Sequence, residues 1–365
     1  MKIVEQVPDY IRTLIPYEPG KPTEEVEREY GIAHSVKLAS NENPLGPSPR
    51  AIAAIRARLD QLNLYPDGDC FYLKQGLAQK LGVAPECLIF GNGSNEIIEL
   101  AVRTFMQAGD EAVMARQAFV VYPLVVQAVG GKATAVPLKN FTHDLAAIAE
   151  AITPRTRIVF LANPNNPTGT IYRREEWESF LNRVSRDVLL IVDEAYFEYV
   201  RDPAYPDSLG YHQDGRAILT LRTFSKLYGL AGLRIGYGVG PKELIGLMQR
   251  VRQPFNVNAA AQWGALAALD DDAHVRRSLE VNRQGLEYLE EEFRKLGLEF
   301  VPSQANFILV RVGKGHEVFE QLLRQGVIVR PMGGYQFPDH VRVTVGTLEE
   351  NRKFIDALSR VIRGR

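Results

Sequence analysis

Short apolar runs alternate with amphipathic, helix-length segments between residues 88 and 239. Most of these runs lack the apolar–polar alternation of a half-exposed strand, which favours strands that are covered on both faces. The runs are LIF at 88–90, AVMA at 112–115, TAVPL at 134–138, RIVFLA at 157–162, VLLIV at 188–192, AILTL at 217–221 and IGYGV at 235–239. The segments between them include EIIELAVRTFM, DLAAIAEAI and REEWESFLNRV. This alternation predicts an α/β domain built around a mostly parallel sheet.

The pattern changes after residue 240, where helices and strands occur in a mixed order. Helices are predicted over 241–251, 259–269, 273–296 and 316–325 and from Leu348 onward, and the strand-like runs are ANFILVRV (305–312), VIVRPM (327–332) and HVRVTVG (340–346). This order predicts a smaller α+β domain. Prolines and Gly20 between residues 16 and 22 exclude a continuous helix near the N-terminus. We therefore expect an N-terminal arm (1–40) associated with the small domain, a large domain (41–257) and a small C-terminal domain (258–365).

Composition and charge narrow the class of protein. The 365 residues are enough for two domains, and a hydrophobic share of 45% can form a large core. Because 43 Lys and Arg nearly balance 44 Asp and Glu, the formal net charge of −1 predicts neither a nucleic-acid nor a membrane partner. The N-terminal segment has no apolar run typical of a signal peptide or a membrane span, so we expect a cytoplasmic protein. The sequence contains two cysteines, Cys70 and Cys87, which are too few for a disulfide scaffold or a cysteine-rich zinc site. We therefore expect two reduced thiols and no metal site.

The segment FGNGSNEIIEL (90–100) follows a predicted strand and opens a predicted helix. Gly91 and Gly93 permit a tight turn, and the backbone N–H groups of Ser94 and Asn95 would lie at the helix N-terminus, where anions bind. A dinucleotide fingerprint would need a third glycine at position 96, which is Glu96. Taken alone, these glycines are equally typical of an ordinary strand-to-helix turn.

Two further patterns follow neighbouring predicted strands. NPNNPTG (163–169) is held between two prolines directly after RIVFLA, at the end of a strand where α/β proteins place their ligands. In VLLIVDEAY (188–196), Asp193 comes straight after five apolar residues. A carboxylate in that position needs a cationic or hydrogen-bonding partner, or it caps the next element.

The fourth pattern is TLRTFSKLYGLAGLRIGYGVG (220–240). Thr223, Ser225 and Lys226 cluster after a strand, and Arg234 follows eight residues later. A lone lysine is usually a solvated surface residue. The hydroxyls and the arginine around Lys226 instead favour an anion-binding loop that contains an amine nucleophile.

One cofactor accounts for all four patterns. Pyridoxal phosphate needs an amine for its Schiff base, a carboxylate near its ring nitrogen, donors for its phenolic oxygen and an anion site for its phosphate. At these residues the chain resembles the fold-type I aminotransferases and, within them, the histidinol-phosphate aminotransferase family. The similar segments, in family order, are IPYEPGKP, LASNENPLG, YPDG, GNGSNE, NPNNPTG, VDEAY, RTFSK…GLAGLRIGY, GVIVRP and VRVTVGT. They extend from residue 15 to 347 and imply a large, mostly parallel-sheet α/β domain that binds the cofactor and a smaller α+β domain.

The resemblance assigns the cofactor contacts. It makes Lys226 the residue that carries pyridoxal phosphate and moves the proton during catalysis, and Asp193 the partner of the pyridine nitrogen. Asn166 and Tyr196 match the residues that hydrogen-bond the phenolic oxygen. Matches to the phosphate site are Ser94, Asn95, Thr223, Ser225 and Arg234. Phe119, in RQAFVVYP, matches the aromatic residue that stacks on the ring, although it could equally be a core residue opening a helix.

The resemblance also suggests a homodimer and the substrate contacts. Tyr65, in LYPDG, matches a residue that reaches the phosphate of the neighbouring subunit, which implies shared sites; without the resemblance it is as readily a turn residue packed before Pro66. Arg342 matches the arginine that pairs with an acidic substrate group. Arg330 and Tyr17 match additional phosphate contacts, and Asn43, in LASNENPLG, is placed with the substrate residues.

The implied reaction moves an amino group between L-glutamate and imidazole-acetol phosphate, giving L-histidinol phosphate and 2-oxoglutarate in histidine synthesis. An aromatic amino-acid aminotransferase and a threonine-phosphate decarboxylase on the same scaffold are alternatives. A nicotinamide-dependent dehydrogenase would leave Lys226, the Asn-Pro loop and Arg234 unexplained. A pyridoxal-phosphate-binding regulator would need a DNA-binding module that the sequence does not contain.

Overall fold

The computed structural model describes residues 1–17 and 20–364. Residues 18 and 19, inside the arm segment IPYEPGKP, lie outside the described ranges. The strands are, in chain order, β1 (Val36–Lys37), β2 (Leu88–Gly91), β3 (Glu111–Ala115), β4 (Lys132–Val136), β5 (Thr156–Ala162), β6 (Leu189–Asp193), β7 (Ile218–Thr223), β8 (Gly236–Val239), β9 (Phe300–Val301), β10 (Phe307–Arg311), β11 (Val327–Ile328), β12 (Arg330–Pro331) and β13 (His340–Thr344).

The α-helices pack around a seven-stranded sheet, a four-stranded sheet and a two-stranded ladder of β1 and β11. They are α1 (Lys2–Glu5), α2 (Asp9–Arg12), α3 (Thr23–Tyr30), α4 (Pro49–Arg56), α5 (Phe71–Leu81), α6 (Gly93–Phe105), α7 (Val121–Ala128), α8 (Leu145–Glu150), α9 (Arg174–Arg183), α10 (Lys242–Val251), α11 (Ala259–Leu269), α12 (Asp272–Lys295), α13 (Gly315–Leu323) and α14 (Leu348–Arg363). Within the described residues, no helix is long and apolar enough to cross a membrane.

The large sheet confirms the predicted α/β architecture. Its strand order is β2-β8-β7-β6-β5-β3-β4, and only β8 runs antiparallel to its neighbours. Every residue of β3, β6 and β7 is buried, as the unbroken apolar runs predicted, because helices cover both faces of the sheet. The carboxyl ends of β5, β6 and β7 therefore lie side by side at one edge, where Asp193 pairs in register with Ala162 and Leu221.

The small sheet has the order β12-β13-β10-β9, with every pair antiparallel. Helices α12, α13 and α14 pack on it around a core that includes Phe293, Ile308 and Phe354. The run VIVRPM, predicted as one strand, is divided: Val327 and Ile328 pair with β1, whereas Arg330 and Pro331 pair with β13. At Val329 the chain therefore passes from the two-stranded ladder with β1 into the small sheet.

The N-terminal segment contacts both halves of the molecule. Val26 of α3 packs with Leu323 and Ile328 near β11. Farther toward the N-terminus, α2 lies against α7 of the large sheet, where the Gln127 side chain donates to the carbonyl of Tyr10 at 2.9 Å. This segment therefore lies across the space between the two sheets, close to the ends of β5, β6 and β7.

Candidate active site

A cavity of about 220 Å³ opens at the carboxyl ends of the central strands and is closed by residues from the small sheet and the N-terminal segment. Its lining includes most of the residues that the sequence predicted, although they come from distant segments. Those that line it are Tyr17, Ser94, Asn95, Phe119, Asn166, Asp193, Tyr196, Thr223, Ser225, Lys226, Arg234, Arg330 and Arg342.

Lys226 provides the amine of the cavity. It follows β7 by three residues, and its Nζ donates to the backbone carbonyl of Ser40 at 3.0 Å. Burial, together with the positive charges of Arg342 and Arg234, lowers the pKa of Lys226 to about 8, although the carboxylates of Glu42 and Asp193 act in the opposite direction. A substantial fraction of the amine is therefore neutral near pH 8, which is the form that attacks a carbonyl.

Asp193, the last residue of β6, provides a buried carboxylate. Its Oδ2 accepts a hydrogen bond of 2.7 Å from the Tyr122 hydroxyl. Burial raises the pKa of Asp193, while the Tyr122 hydrogen bond acts in the opposite direction. No motif pointed to Tyr122, although its position three residues after Phe119 places both side chains on one face of the chain entering α7.

Asn166 and Tyr196 approach the cavity from two neighbouring loops. The Asn166 Oδ1 accepts a hydrogen bond from Arg342 Nη1, which leaves the Asn166 amide N–H groups free to face a ligand. The Tyr196 hydroxyl accepts from Asn41 Nδ2 at 2.9 Å. Since burial raises the pKa of Tyr196 to about 12, the hydroxyl keeps its proton and can donate it in a hydrogen bond.

An anion cradle forms where α6 begins beside β7 and β8. The residues that line it are Ser94, Asn95, Thr223 and Ser225. The Thr223 hydroxyl donates to the Ile235 carbonyl at 3.3 Å and accepts from the Ser225 backbone N–H at 3.0 Å, which fixes this part of the cradle. Arg234 Nη1 lies 3.5 Å from Ser225 Oγ and adds a positive charge. Gly236 of β8 makes the close approach possible, because a Cβ there would lie 2.5 Å from the backbone nitrogen of Ser94. The helix N-terminus, the hydroxyls and the guanidinium together suit a phosphate group.

Two arginines form the opposite end of the cavity. Arg330 and Arg342 are register partners on β12 and β13. Arg342 is 6% exposed, and its Nη2 donates to the backbone carbonyl of Ala39 at 2.7 Å. The Arg330 guanidinium lies 5.7 Å from the centre of the Tyr17 ring. Two guanidinium groups on one wall of a largely enclosed site favour a ligand that carries an anionic group.

Two predicted residues do not reach the cavity of this chain. Asn43 was predicted to contact the substrate, but its side chain does not line the cavity. Its amide donates to the Leu227 carbonyl at 2.7 Å and to Ser278 Oγ at 2.9 Å, so it fixes the chain beside the site. Asn41, two residues earlier, lines the cavity instead. Tyr65 lies outside the cavity, is 84% exposed and stacks on Phe255 at 4.9 Å.

The fold and the cavity define a class of protein. A seven-stranded, mostly parallel sheet presents an amine of lowered pKa, a carboxylate and an anion cradle around one space, and this donor set fits pyridoxal phosphate. The class is therefore that of pyridoxal-phosphate-dependent transferases of the α/β type.

Comparisons with known proteins agree with this class. The family description "Aminotransferase class I and II" matches residues 33–358. The chain is 53% identical over 354 residues to the histidinol-phosphate aminotransferase of Moorella thermoacetica, covering 96% of this chain and 92% of the relative. It is 51% identical over 353 residues to histidinol-phosphate aminotransferase 1 of Nitrosococcus oceani, covering 96% and 95%.

Solved structures show the same relationship. The crystal structure of histidinol-phosphate aminotransferase from Sinorhizobium meliloti, in complex with pyridoxal 5'-phosphate, superposes with a TM-score of 0.91 at 27% identity and covers 98% of both chains. An aspartate aminotransferase from Thermus thermophilus with maleate gives a TM-score of 0.83 at 27% identity, covering 97% and 99%. The chain therefore belongs to the histidinol-phosphate aminotransferases of the class I and II aminotransferase family.

Proposed function

We propose that the chain transfers an amino group between L-glutamate and imidazole-acetol phosphate, giving L-histidinol phosphate and 2-oxoglutarate in histidine synthesis, with pyridoxal 5'-phosphate as cofactor. The observation that carries this proposal is the pairing of Arg330 and Arg342 on the wall of the cavity that contains Lys226. Relatives of this name at 53% and 51% identity over nearly the whole chain support the same reaction.

Lys226 is the central catalytic group in this proposal. Bound pyridoxal phosphate supplies an aldehyde that condenses with amines and a ring that withdraws electrons from the substrate. Because the pKa of Lys226 is lowered to about 8, its amine can act as a nucleophile and can also accept a proton near neutral pH. With the cofactor bound, Lys226 Nζ would be the group that accepts the proton from the substrate Cα and returns it.

The other residues hold the cofactor and its charges. Asp193 would keep a proton on the pyridine nitrogen, and Tyr196 and Asn166 would donate to the phenolic oxygen. Phe119 would pack against the ring, and the cradle around Ser94 and Asn95 would hold the phosphate. All of these residues line the same cavity, which supports their proposed roles.

Arg342, Arg330 and Tyr17 bind the anionic groups of the two substrates in turn. Histidinol phosphate carries a phosphate and no carboxylate, whereas glutamate carries two carboxylates. One cationic wall can serve both half-reactions because a guanidinium forms paired hydrogen bonds with either group.

We also propose that a second copy of the chain completes the site. Tyr65 is 84% exposed and lies among other exposed apolar side chains. These are Leu59, Leu62, Leu64, Phe71, Tyr72 and Phe255. A homodimer would cover this surface and bring Tyr65 to the partner's phosphate cradle.

We also propose that the chain divides into an arm (1–40), a large domain (41–257) and a small domain (258–365). The proposed location is the cytoplasm.

Absorbance and kinetics test the reaction. Addition of histidinol phosphate to the purified enzyme is expected to convert the bound cofactor to its amine form, and 2-oxoglutarate is expected to restore the starting spectrum. A higher kcat/KM for phenylalanine or tyrosine than for histidinol phosphate would instead identify an aromatic aminotransferase. Release of carbon dioxide from threonine phosphate would identify a decarboxylase.

A further inference from the structure

Tyr335 lies on the anion-binding wall of the cavity, although no sequence motif pointed to it. It ends the short turn Gly333–Tyr335 that follows β12, and its backbone N–H donates to the carbonyl of Met332 at 3.0 Å. The side chain lines the cavity together with Tyr17, Arg330 and Arg342.

The ring of Tyr335 is fixed by apolar packing, so that its hydroxyl end faces polar groups. Behind the ring lies a cluster formed by residues from β9, β10, the turn after β12 and the loop between β4 and α8. Its members are Val301, Leu309, Met332, Phe141 and Phe337. On the cavity side, the hydroxyl approaches the backbone N–H of Val120, the residue that follows Phe119. A ring held in this way presents its hydroxyl at little cost in side-chain entropy.

The hydroxyl of Tyr335 is available as a hydrogen-bond donor. Burial raises its pKa, so the phenol keeps its proton at neutral pH even with Arg342 nearby. A phenol hydroxyl both donates and accepts, so its proton can go to an acceptor that enters the cavity.

A phosphate needs more donors than Arg342 alone supplies. Arg342 already donates through Nη1 to Asn166 and through Nη2 to the Ala39 carbonyl, and its buried Nε has no partner within the described residues. A phosphate presents three terminal oxygens, whereas a carboxylate presents two. Arg330 and Tyr17 supply donors on the same wall, and the Tyr335 hydroxyl adds one more for the additional oxygen.

We propose that Tyr335 is a specificity-determining residue whose hydroxyl donates to the substrate phosphate and favours phosphorylated over unphosphorylated amines. This inference rests on the proposed function, because it assigns a further contact to the same substrate. It predicts that the hydroxyl matters in the half-reaction with histidinol phosphate and matters much less in the half-reaction with glutamate.

The variant Tyr335→Phe tests the proposal, because it keeps the packed ring and removes only the hydroxyl. In single half-reactions followed by cofactor absorbance, we expect kcat/KM for histidinol phosphate to fall roughly tenfold or more, as for a lost hydrogen bond to a charged group. We expect kcat/KM for glutamate to change by less than about threefold on the same reasoning. We also expect the ratio of kcat/KM for histidinol phosphate to that for histidinol to fall by about the same factor of ten, and inhibition by inorganic phosphate to weaken.

Tyr288→Phe on α12 is the matched control, since Tyr288 is a half-buried tyrosine of the small domain that does not line the cavity. It should leave both half-reactions unchanged. An equal fall for histidinol phosphate and glutamate in Tyr335→Phe, or an unchanged ratio of histidinol phosphate to histidinol, would refute the specificity role. A wild-type enzyme that does not turn over histidinol phosphate would instead refute the proposed function, so the two failures are distinguishable.

Discussion

At the scale of single residues, burial changes the two central ionisable groups in opposite senses. It lowers the pKa of Lys226 to about 8 and raises that of Asp193, because removal from water disfavours whichever form is charged. The first effect provides a neutral amine. The second would weaken the carboxylate as a partner for a protonated ring nitrogen, and the hydrogen bond from Tyr122 counteracts it.

Tyr122→Phe should therefore move the acid limb of the activity profile. Without its 2.7 Å hydrogen bond, the pKa of Asp193 rises further, so the carboxylate is lost at a higher pH as the solution is acidified. We expect the acid limb of kcat/KM to shift to higher pH and activity near pH 7 to fall about tenfold.

Tyr211→Phe is the control for this prediction, because it deletes a 2.9 Å hydroxyl–carboxylate bond to Glu178 on the surface. Its pH profile should match that of the wild type. If Tyr122→Phe also keeps the wild-type profile, Tyr122 does not determine the ionisation of Asp193.

The local motifs predicted many of the site residues because each motif combines a fixed backbone with reactive side chains. Lys226, Asp193 and Asn166 lie in such motifs and line the cavity. Tyr122 lies in RQAFVVYP, where the resemblance pointed only to Phe119, and Tyr335 lies in a turn that no motif covers. Their positions depend on how α7 packs on the large sheet and how the turn after β12 packs on the small one.

At the scale of elements, the anion cradle depends on the contact between β8 and the start of α6. The β8 backbone passes so close to Ser94 that only a glycine fits at position 236. The sequence predicted the anion site from the turn glycines Gly91 and Gly93, and the structure adds Gly236 from a strand more than 140 positions later.

Gly236→Ala should weaken cofactor binding. Its Cβ would lie 2.5 Å from the Ser94 nitrogen and 2.8 Å from the Gly93 carbonyl carbon, so the backbone that forms the cradle must move. We expect the Kd for pyridoxal phosphate to rise at least about tenfold, measured by titration of the cofactor-free enzyme, because a small misplacement weakens several hydrogen bonds at once.

Gly246→Ala is the control, because this glycine-to-alanine change should not weaken cofactor binding. Gly246 lies inside α10 with no atom within 4 Å of the added Cβ, so alanine should stabilise the helix by about 0.5–1 kcal/mol and leave cofactor affinity unchanged. Equal cofactor affinities in the two variants would contradict the proposed close approach.

A buried ion pair joins the ends of β6 and β7 beneath the cavity. Arg222 donates to Glu194 Oε2 through Nε at 2.9 Å and through Nη2 at 2.8 Å, and both side chains are almost fully buried. They directly adjoin Thr223 and Asp193, so the pair holds two site residues in register.

Glu194→Gln should destabilise the fold. The change leaves the Arg222 charge buried with Asp207, which is half exposed, as its remaining carboxylate partner. Denaturant unfolding followed by circular dichroism should show a loss of about 3 kcal/mol. Glu287→Gln breaks the exposed pair with Arg283 and should give no resolvable change; comparable losses in the two variants would refute the assigned importance of the buried pair.

At the scale of the whole molecule, the site combines residues from three parts of the chain. Lys226 and Asp193 come from the large sheet, Arg330 and Arg342 from the small sheet, and Tyr17 from the N-terminal segment. In the proposed homodimer, Tyr65 of a second copy becomes a fourth contribution.

Mixing two inactive variants tests this shared arrangement. In a hybrid of Lys226→Ala and Tyr65→Ala subunits, one site carries both defects and the other carries neither, so activity should exceed that of both parents after the subunits are exchanged. A mixture of Lys226→Ala and Asp193→Ala should not recover, because both residues belong to the same subunit's site. No recovery in the first mixture would refute the shared site.

By itself, the sequence determined the α/β class, most strands and helices after residue 88 and the motifs that carry the cofactor residues, because periodicity and local turns depend on neighbouring positions. The domain bounds and the partner role of Tyr65 stay predictions. Only the tertiary structure decided that Asn41 rather than Asn43 faces the cavity, that Tyr122 supports Asp193, and that Tyr335 joins the arginine wall. These relations join residues far apart in the chain, and packing between elements sets which side chains meet.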